Sequence, residues 1–242
     1  MASAPPLKLA CVDTSTFTES IALVEGERLV GERDLFRAKG HASGLHQDLR
    51  ELLDEAGWAL QDLDAFVCGL GPGSFTGMRV GLAAFKGLAY ALSRPLCGVT
   101  TPQALLGAAG PDALCLIDVR RGEVYAEGGG LSEPMCLKPQ ALIDHYHAHK
   151  LSPPRALIGE GAVRYQALFE EAWSEVWVAP AAAHIPRASL LARPALAQLA
   201  ERGAEVLAEP THVAALEPVY VRPSDAEINY PNGFPSEARL FN

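Results

Sequence analysis

Paired cysteines, long apolar runs and positive charge are what this sequence is short of, and each shortage removes a class of protein. The 5 cysteines, Cys11, Cys68, Cys97, Cys115 and Cys136, are odd in number, widely spaced and mostly set within apolar runs such as Leu114-Cys115-Leu116-Ile117. They read as small buried hydrophobes in a reduced compartment, because neither a disulfide framework nor a Cys-x-x-Cys metal site has this spacing. Residues 9–12 are apolar but Asp13 interrupts them at once, so no signal peptide is expected. The most apolar longer stretch, 78–99, carries Arg79, Lys86, Arg94 and Pro95, which is too polar for a simple membrane span. A cytoplasmic location is the resulting expectation. Lys and Arg total 20 against 29 Asp and Glu, a formal charge of −9. That balance repels a polyanion at long range and disfavours a stand-alone RNA or DNA binder.

What is present is a globular composition, 49% hydrophobic and 20% charged, in 242 residues. At about 150 residues per domain this is one large domain or two small ones. Residues 8–13, 20–24 and 29–36 are short apolar runs, and Glu25-Gly26-Glu27 makes a tight turn between the last two. Leu45, Leu49, Leu52, Leu53 and Ala56 recur at helical spacing and stop at Gly57, predicting a helix from about Ser43 to Ala56. A buried strand over 65–70 runs into Gly71-Pro72-Gly73-Ser74-Phe75-Thr76-Gly77, then an apolar helix over 78–93 and a strand over 95–99.

A second unit opens like the first: Leu9-Ala10-Cys11-Val12-Asp13 is echoed by Leu114-Cys115-Leu116-Ile117-Asp118. It continues with strands over 123–126, 156–159 and 176–179 and helices over 139–147, 163–172 and 189–202. Two βββαβα lobes with mixed sheets, each opening on a strand that ends in Asp, predict an α/β protein of the actin-like ATPase (RNase H-like, ASKHA) fold. The expected division is an N-terminal lobe over 1–103, a C-terminal lobe over 104–223, and an arm over 224–242 with no periodic face.

Several patterns suggest chemistry. The loop 71–77 precedes a helix, as a phosphate cradle does. It lacks the Lys-Ser/Thr of a Walker loop, has Thr76 where the dinucleotide fingerprint needs Gly, and loses one amide to Pro72. Tight strand-to-helix turning and anion binding both remain open readings. Asp13, Thr14 and Ser15, with Asp118 opposite, suit a hydrated divalent cation and phosphate, or simply begin turns. No general base or water-positioning group accompanies them. His145 and His149 have i, i+4 ligand spacing without the Glu of a zinc peptidase, and with His147 they fit a solvated helix end. His41 and His46 read as loop and helix-surface residues. Arg120 and Arg121 form a basic turn that suits an anion or simply faces solvent.

The stretches Asp13-Thr14-Ser15, Gly71-Pro72-Gly73-Ser74-Phe75-Thr76-Gly77-Met78-Arg79-Val80-Gly81, Asp118-Val119-Arg120-Arg121-Gly122-Glu123-Val124-Tyr125, Gly159-Glu160-Gly161-Ala162 and Pro218-Val219-Tyr220-Val221-Arg222-Pro223 together resemble the bacterial TsaB (YeaZ) family. The resemblance spans about residues 7–227. It implies a non-catalytic subunit in threonylcarbamoylation of the adenosine beside the anticodon in tRNAs that read codons beginning with A. The catalytic partner would be a TsaD-like subunit, joined by a TsaE-like ATPase, with tRNA met through the complex and a homodimer formed when the chain is alone. Pairing through the two first-lobe helices would use Leu45, Leu49 and Leu52, the loop residues Gly71, Gly73, Ser74, Phe75, Thr76 and Gly77, and Arg79, Leu82, Phe85 and Leu88. Asp13, Thr14, Ser15 and Asp118 would line a vestigial nucleotide cleft with weak ATP or ADP binding, no cofactor being required and no metal held. Arg120 and Arg121 would supply a supplementary tRNA or anion contact. The run His41-Ala42-Ser43-Gly44-Leu45-His46 departs from the family's His-Ser-Glu-x-Leu by lacking the Glu. A small phosphotransferase of the same fold is the alternative, and a peptidase is the weakest reading.

Overall fold

A computed structural model of the chain describes residues 5–36 and 44–221. The arm 224–242, His41, Ala42, Ser43, Arg222 and Pro223 lie outside the described residues. The first sheet contains β1 (Lys8–Asp13), β2 (Thr18–Glu25), β3 (Arg28–Phe36), β4 (Ala65–Gly69) and β5 (Leu96–Val99), in the order β3-β2-β1-β4-β5. The second contains β6 (Ala113–Asp118), β7 (Val124–Gly128), β8 (Met135–Leu137), β9 (Ala156–Ile158) and β10 (Trp177–Val178), ordered β8-β7-β6-β9-β10. The pairing repeats as well: in each sheet the first two pairs are antiparallel and the last two parallel. The duplication read from two Asp-terminated runs is therefore a duplication of topology. It puts Asp13 and Asp118 at equivalent ends of the two central strands, and the architecture is the α/β actin-like fold.

The helices are α1 (Leu45–Ala56), α2 (Phe75–Leu92), α3 (Thr101–Ala109), α4 (Pro139–Ala148), α5 (Glu160–Arg164), α6 (Gln166–Ala172), α7 (Ala192–Arg202), α8 (Ala204–Ala208) and α9 (Pro210–Ala215). Gly57, at φ 68°, ends α1 in the left-handed conformation glycine tolerates. Two boundaries differ from expectation. Helix α2 starts at Phe75, inside the glycine loop, because the Ser74 hydroxyl accepts from the Gly77 amide and caps it. The helix expected over 163–172 is two helices divided at Tyr165, whose φ of −113° interrupts the α-helical path.

Alternation along the first sheet gives it two apolar faces, which explains its nearly continuous hydrophobic strands. Ala10, Val12, Ile21, Leu23, Phe66 and Cys68 lie under α1 and α2, where Phe66 meets Phe85 edge-on at 5.5 Å. Leu9, Cys11, Ala22, Val24, Ala65 and Val67 lie on the other face, covered by Ala188 and Leu191 of a short 3-10 helix, by Ala192, Ala195 and Leu199 of α7, and by Leu207 of α8. Residues 188–207, within the span expected for the second lobe, thus pack on the first sheet. In the second sheet Leu114, Leu116, Val124 and Ala126 share a core with Leu142, Tyr146, Phe169 and Trp173. Among the described residues no helix is long and apolar enough to cross a membrane.

Candidate functional site

Strand β1 delivers Asp13, Thr14 and Ser15 into a turn that is closed on all sides; the three are 0%, 1% and 1% exposed. The Ser15 amide and hydroxyl donate to Asp13 Oδ1 at 2.8 and 2.7 Å, forming an Asx-type turn. Ser15 Oγ also lies 3.3 Å from the Thr101 hydroxyl at the start of α3. Asp13 Oδ2 is buried with no hydrogen-bond partner among the described residues. Burial pushes this carboxyl up to about 6, against the two Ser15 hydrogen bonds that lower it.

The glycine loop folds onto this turn. The Ser74 amide donates to the Ser15 carbonyl at 2.6 Å, the Thr14 hydroxyl to the Gly77 carbonyl at 2.7 Å, and the Thr101 amide to the Gly71 carbonyl at 2.7 Å. Contact is so close that a Cβ on Gly73 would overlap the Ser15 carbonyl, one on Gly81 the Thr14 hydroxyl, and one on Gly69 the Asp13 carboxylate. Of the two readings left open for the loop, this geometry matches tight turning: its Ser74 and Gly77 amides serve the chain itself.

Asp118 ends β6 with 9% exposure. Its Oδ1 accepts from the Arg120 amide at 2.9 Å, while Oδ2 accepts from the Arg164 guanidinium and lies 3.9 Å from Arg120 Nη1. Glu160, opening α5, stands beside this group, its carboxyl held above the usual range by burial and then by the Asp118 charge. Nothing in the sequence singles out Arg164, since one Arg in a helix carries no distinguishing pattern. Arg120 and Arg121 adopt left-handed φ values of 69° and 55° ahead of Gly122 at 78°. The β1–β2 and β6–β7 turns approach each other where the Arg120 guanidinium carbon sits 5.8 Å from the Phe17 ring centre.

The residues expected to face a partner divide sharply. Leu45, Leu49 and Leu52 are each 3% exposed, Leu82 4% and Phe85 0%. Their side chains belong to this chain's own core rather than to an outward apolar stripe, because the first sheet needs both helices as its cover. Gly71 and Gly77 are buried and Leu88 half-buried, whereas Gly73, Ser74, Phe75, Thr76 and Arg79 are exposed. Leu88 lines a cavity of about 410 Å³ with Leu49, Leu53, Trp58 and Leu60. Arg79 lies over the Phe75 ring at 3.9 Å, and its Nε donates to the Tyr220 hydroxyl at 2.8 Å, joining two of the recognised stretches. The His145 and His149 rings lie 4.2 Å apart, tilted at 38°, and among the described residues no group of three or more His, Cys, Asp or Glu is placed to hold a metal.

The family model described as "TsaD: tRNA N6-adenosine threonylcarbamoyltransferase" matches residues 36–230. The chain is 28% identical over 238 residues to the tRNA threonylcarbamoyladenosine biosynthesis protein TsaB of Bacillus subtilis, covering 93% of this chain and 98% of that protein. It is 30% identical over 169 residues to TsaB of Escherichia coli, 64% of this chain and 72% of that one. An uncharacterized protein of Mycobacterium tuberculosis is 39% identical over 116 residues, 47% of this chain; the match spans about half, 55%, of that relative's length. The solved structure of YeaZ from Pseudomonas aeruginosa superposes with a TM-score of 0.66 at 27% identity, covering 89% of this chain and 100% of that one.

Proposed function

The chain belongs to the TsaB (YeaZ) family, and from that premise we propose that it serves threonylcarbamoylation of tRNA adenosine as a non-catalytic subunit paired with a TsaD-like transferase. A TsaE-like ATPase joins the pair, tRNA is held mainly by the partners, and the setting is the cytoplasm. The observation that carries this reading is the closed turn at β1. An ATPase of this fold uses the end of its first strand to meet a hydrated cation and phosphate, which requires open carboxylate oxygens and free donors. Here Asp13 Oδ2 is enclosed and the loop 71–77 occupies the space above Ser15. Residual ATP or ADP affinity is weak on this reading, and no cofactor is required.

The pairing surface is the outward side of α2, including Phe75, Thr76 and Arg79. Free chains would cover the same surface by forming a homodimer. Purified alone, the protein is expected to neither hydrolyse ATP nor modify tRNA. Combined with a TsaD-like subunit, a TsaE-like ATPase, ATP and a threonylcarbamoyl donor, it should be required for product, measured by mass spectrometry of digested tRNA. Turnover of ATP by the single chain that is lost in Asp13→Ala would instead favour a phosphotransferase.

A further inference from the structure

Helices α1 and α2 cover the first sheet without closing the space between them. The cavity of about 410 Å³ that Leu88 lines remains there, within the ~300–1,000 Å³ that small-molecule sites occupy. Its walls are Leu49, Leu53, Leu60 and Leu88 with the Trp58 ring, which is held by the Lys8 ammonium 4.8 Å from its centre. Trp58 reaches this place because Gly57 stops α1 and the Trp58 amide donates to the Leu53 carbonyl at 3.0 Å, turning the chain back across the helix end. The rim is polar and belongs to α1: His46, Arg50 and Asp54 follow one another at one-turn intervals, all exposed and all bordering the cavity. Two further acids of α1, Glu51 and Glu55, are taken by Arg33 of β3. Arg50 and Asp54, in contrast, make no side-chain hydrogen bond or ion pair among the described residues. Their order explains why: a cation N-terminal to an anion is the weaker i, i+4 arrangement, opposed by the helix dipole. A positive and a negative group, with Cβ atoms about 5–6 Å apart on that spacing, thus stand unpaired at the mouth of an apolar chamber.

We propose that this chamber binds a free α-amino acid with a large apolar side chain, such as leucine or phenylalanine. The side chain fills the cavity, the carboxylate meets the Arg50 guanidinium, and the ammonium meets the Asp54 carboxylate. Apolar walls with a few placed polar groups are the usual composition of such a site, and a guanidinium suits a carboxylate through paired N–H donors. A zwitterion answers both rim charges at once. An aryl or fatty acid would set its carboxylate beside Asp54, and an apolar amine would set its cation beside Arg50. An apolar side chain from a protein partner would fill the walls but carries no charge pair on its own α-carbon. The proposal stands apart from the pairing with a TsaD-like subunit and does not rest on it.

The test titrates the full chain with L-phenylalanine and L-leucine at neutral pH, read by calorimetry and by saturation-transfer NMR of the ligand. Both should bind and glycine should not. N-acetyl-L-phenylalanine and L-phenylalaninamide, each lacking one charge, should bind at least about tenfold more weakly, the effect expected for losing a charge-assisted hydrogen bond. Asp54→Asn should abolish the distinction between phenylalanine and its N-acetyl form, and Arg50→Gln the distinction between phenylalanine and its amide. Leu88→Trp, at a half-buried position, should fill the chamber and remove binding. Circular dichroism and a thermal melt check its fold; should it unfold, Ala59→Trp, at an exposed position of the same lining, supplies the block instead. The proposal is overturned if neither amino acid binds, if the acetylated and amidated forms bind as tightly as phenylalanine, or if a folded, cavity-filled variant keeps its affinity. Loss of a TsaD-like partner in the Arg50 and Asp54 variants, with no amino acid bound by wild type, would also overturn it and make the chamber a protein contact.

Discussion

A buried carboxylate with an unpaired oxygen is a costly choice at one residue, and Asp13 makes it within a chain whose other central aspartate, Asp118, is bonded to Arg164. Burial pushes its native pKa up to about 6, above the ordinary aspartate value, because desolvation outweighs two hydrogen bonds from Ser15. Between those values the native state keeps a proton that the unfolded chain has released. Stability therefore falls as pH rises through that window, and the full penalty applies above it. Asp13→Asn keeps the shape and the acceptor for Ser15 while removing the charge. Its melting temperature should exceed wild type at pH 8, and the gain should vanish near pH 4. The distance between the native and ordinary values bounds the gain at ~3 kcal/mol. Melts across this pH range check it; parallel curves for the two proteins would mean that Asp13 is not the group responsible.

At the scale of an element, α2 decides how the partner surface should be understood. Its inward side is Gly77, Met78, Gly81, Leu82, Phe85 and Ala89, and its outward side includes Thr76, Arg79, Ala83, Gly87, Tyr90 and Ala91. A charge at Leu82 would sit unpaired in the core, so Leu82→Glu should fail to fold. Gly87 has open space around it, and Gly87→Glu should fold at least as well as wild type, since glycine within a helix costs about 0.5–1 kcal/mol. If the outward side is the pairing surface, Gly87→Glu should nevertheless lose the TsaD-like partner in a pull-down, with circular dichroism confirming its helix content. Retained pairing would move the surface elsewhere. The sequence makes α2 legible as a long apolar helix but not its facing, because it is apolar on several sides. The structure supplies the reason: α9 packs against α2 as well, with Val213 in the same core and Lys86 donating to the Ala214 carbonyl at 2.8 Å. Helices as short as α8 and α9 leave too few turns for a period to emerge, so apolar surface that they cover looked exposed. The three-residue β8 is likewise too short to show a period, whereas α3 carries a readable signature in Thr100-Thr101-Pro102-Gln103, where Thr100 and Gln103 form a reciprocal cap. The closed turn at Asp13 was legible as residues but not as a closure, since it depends on contacts between residues some 60 to 90 positions apart.

For the whole molecule, a chain that leaves the first sheet, builds the second and then returns makes the two lobes one folding unit. The return begins at a polar latch. The Ala188 amide donates to Ser20 Oγ at 2.8 Å, Ser20 Oγ to Asp34 at 2.7 Å and the Ser189 amide to Glu32 at 2.9 Å, while Arg187 pairs with Asp34 at 3.2 Å. Beyond it, Leu191, Leu199 and Leu207 cover Leu9, Cys11, Val24, Val67 and Val99 on the face of the first sheet opposite α1 and α2. Three buried leucines at ~1.5–3 kcal/mol each already reach into the ~5–15 kcal/mol that keeps a domain folded, before the uncovered sheet is considered. A chain cut after residue 187 should consequently lose its cooperative melt and bind a hydrophobic dye, although every strand of both sheets is still present. Supplying residues 188–221 as a separate peptide should restore part of the transition and suppress dye binding. The outcome against this view would be a truncated protein that melts cooperatively within a few degrees of the full chain. That would make the first lobe self-sufficient on residues 5–103 and reduce the returning helices to a cover, leaving the lobes free to move independently about the turns that carry Phe17 and Arg120.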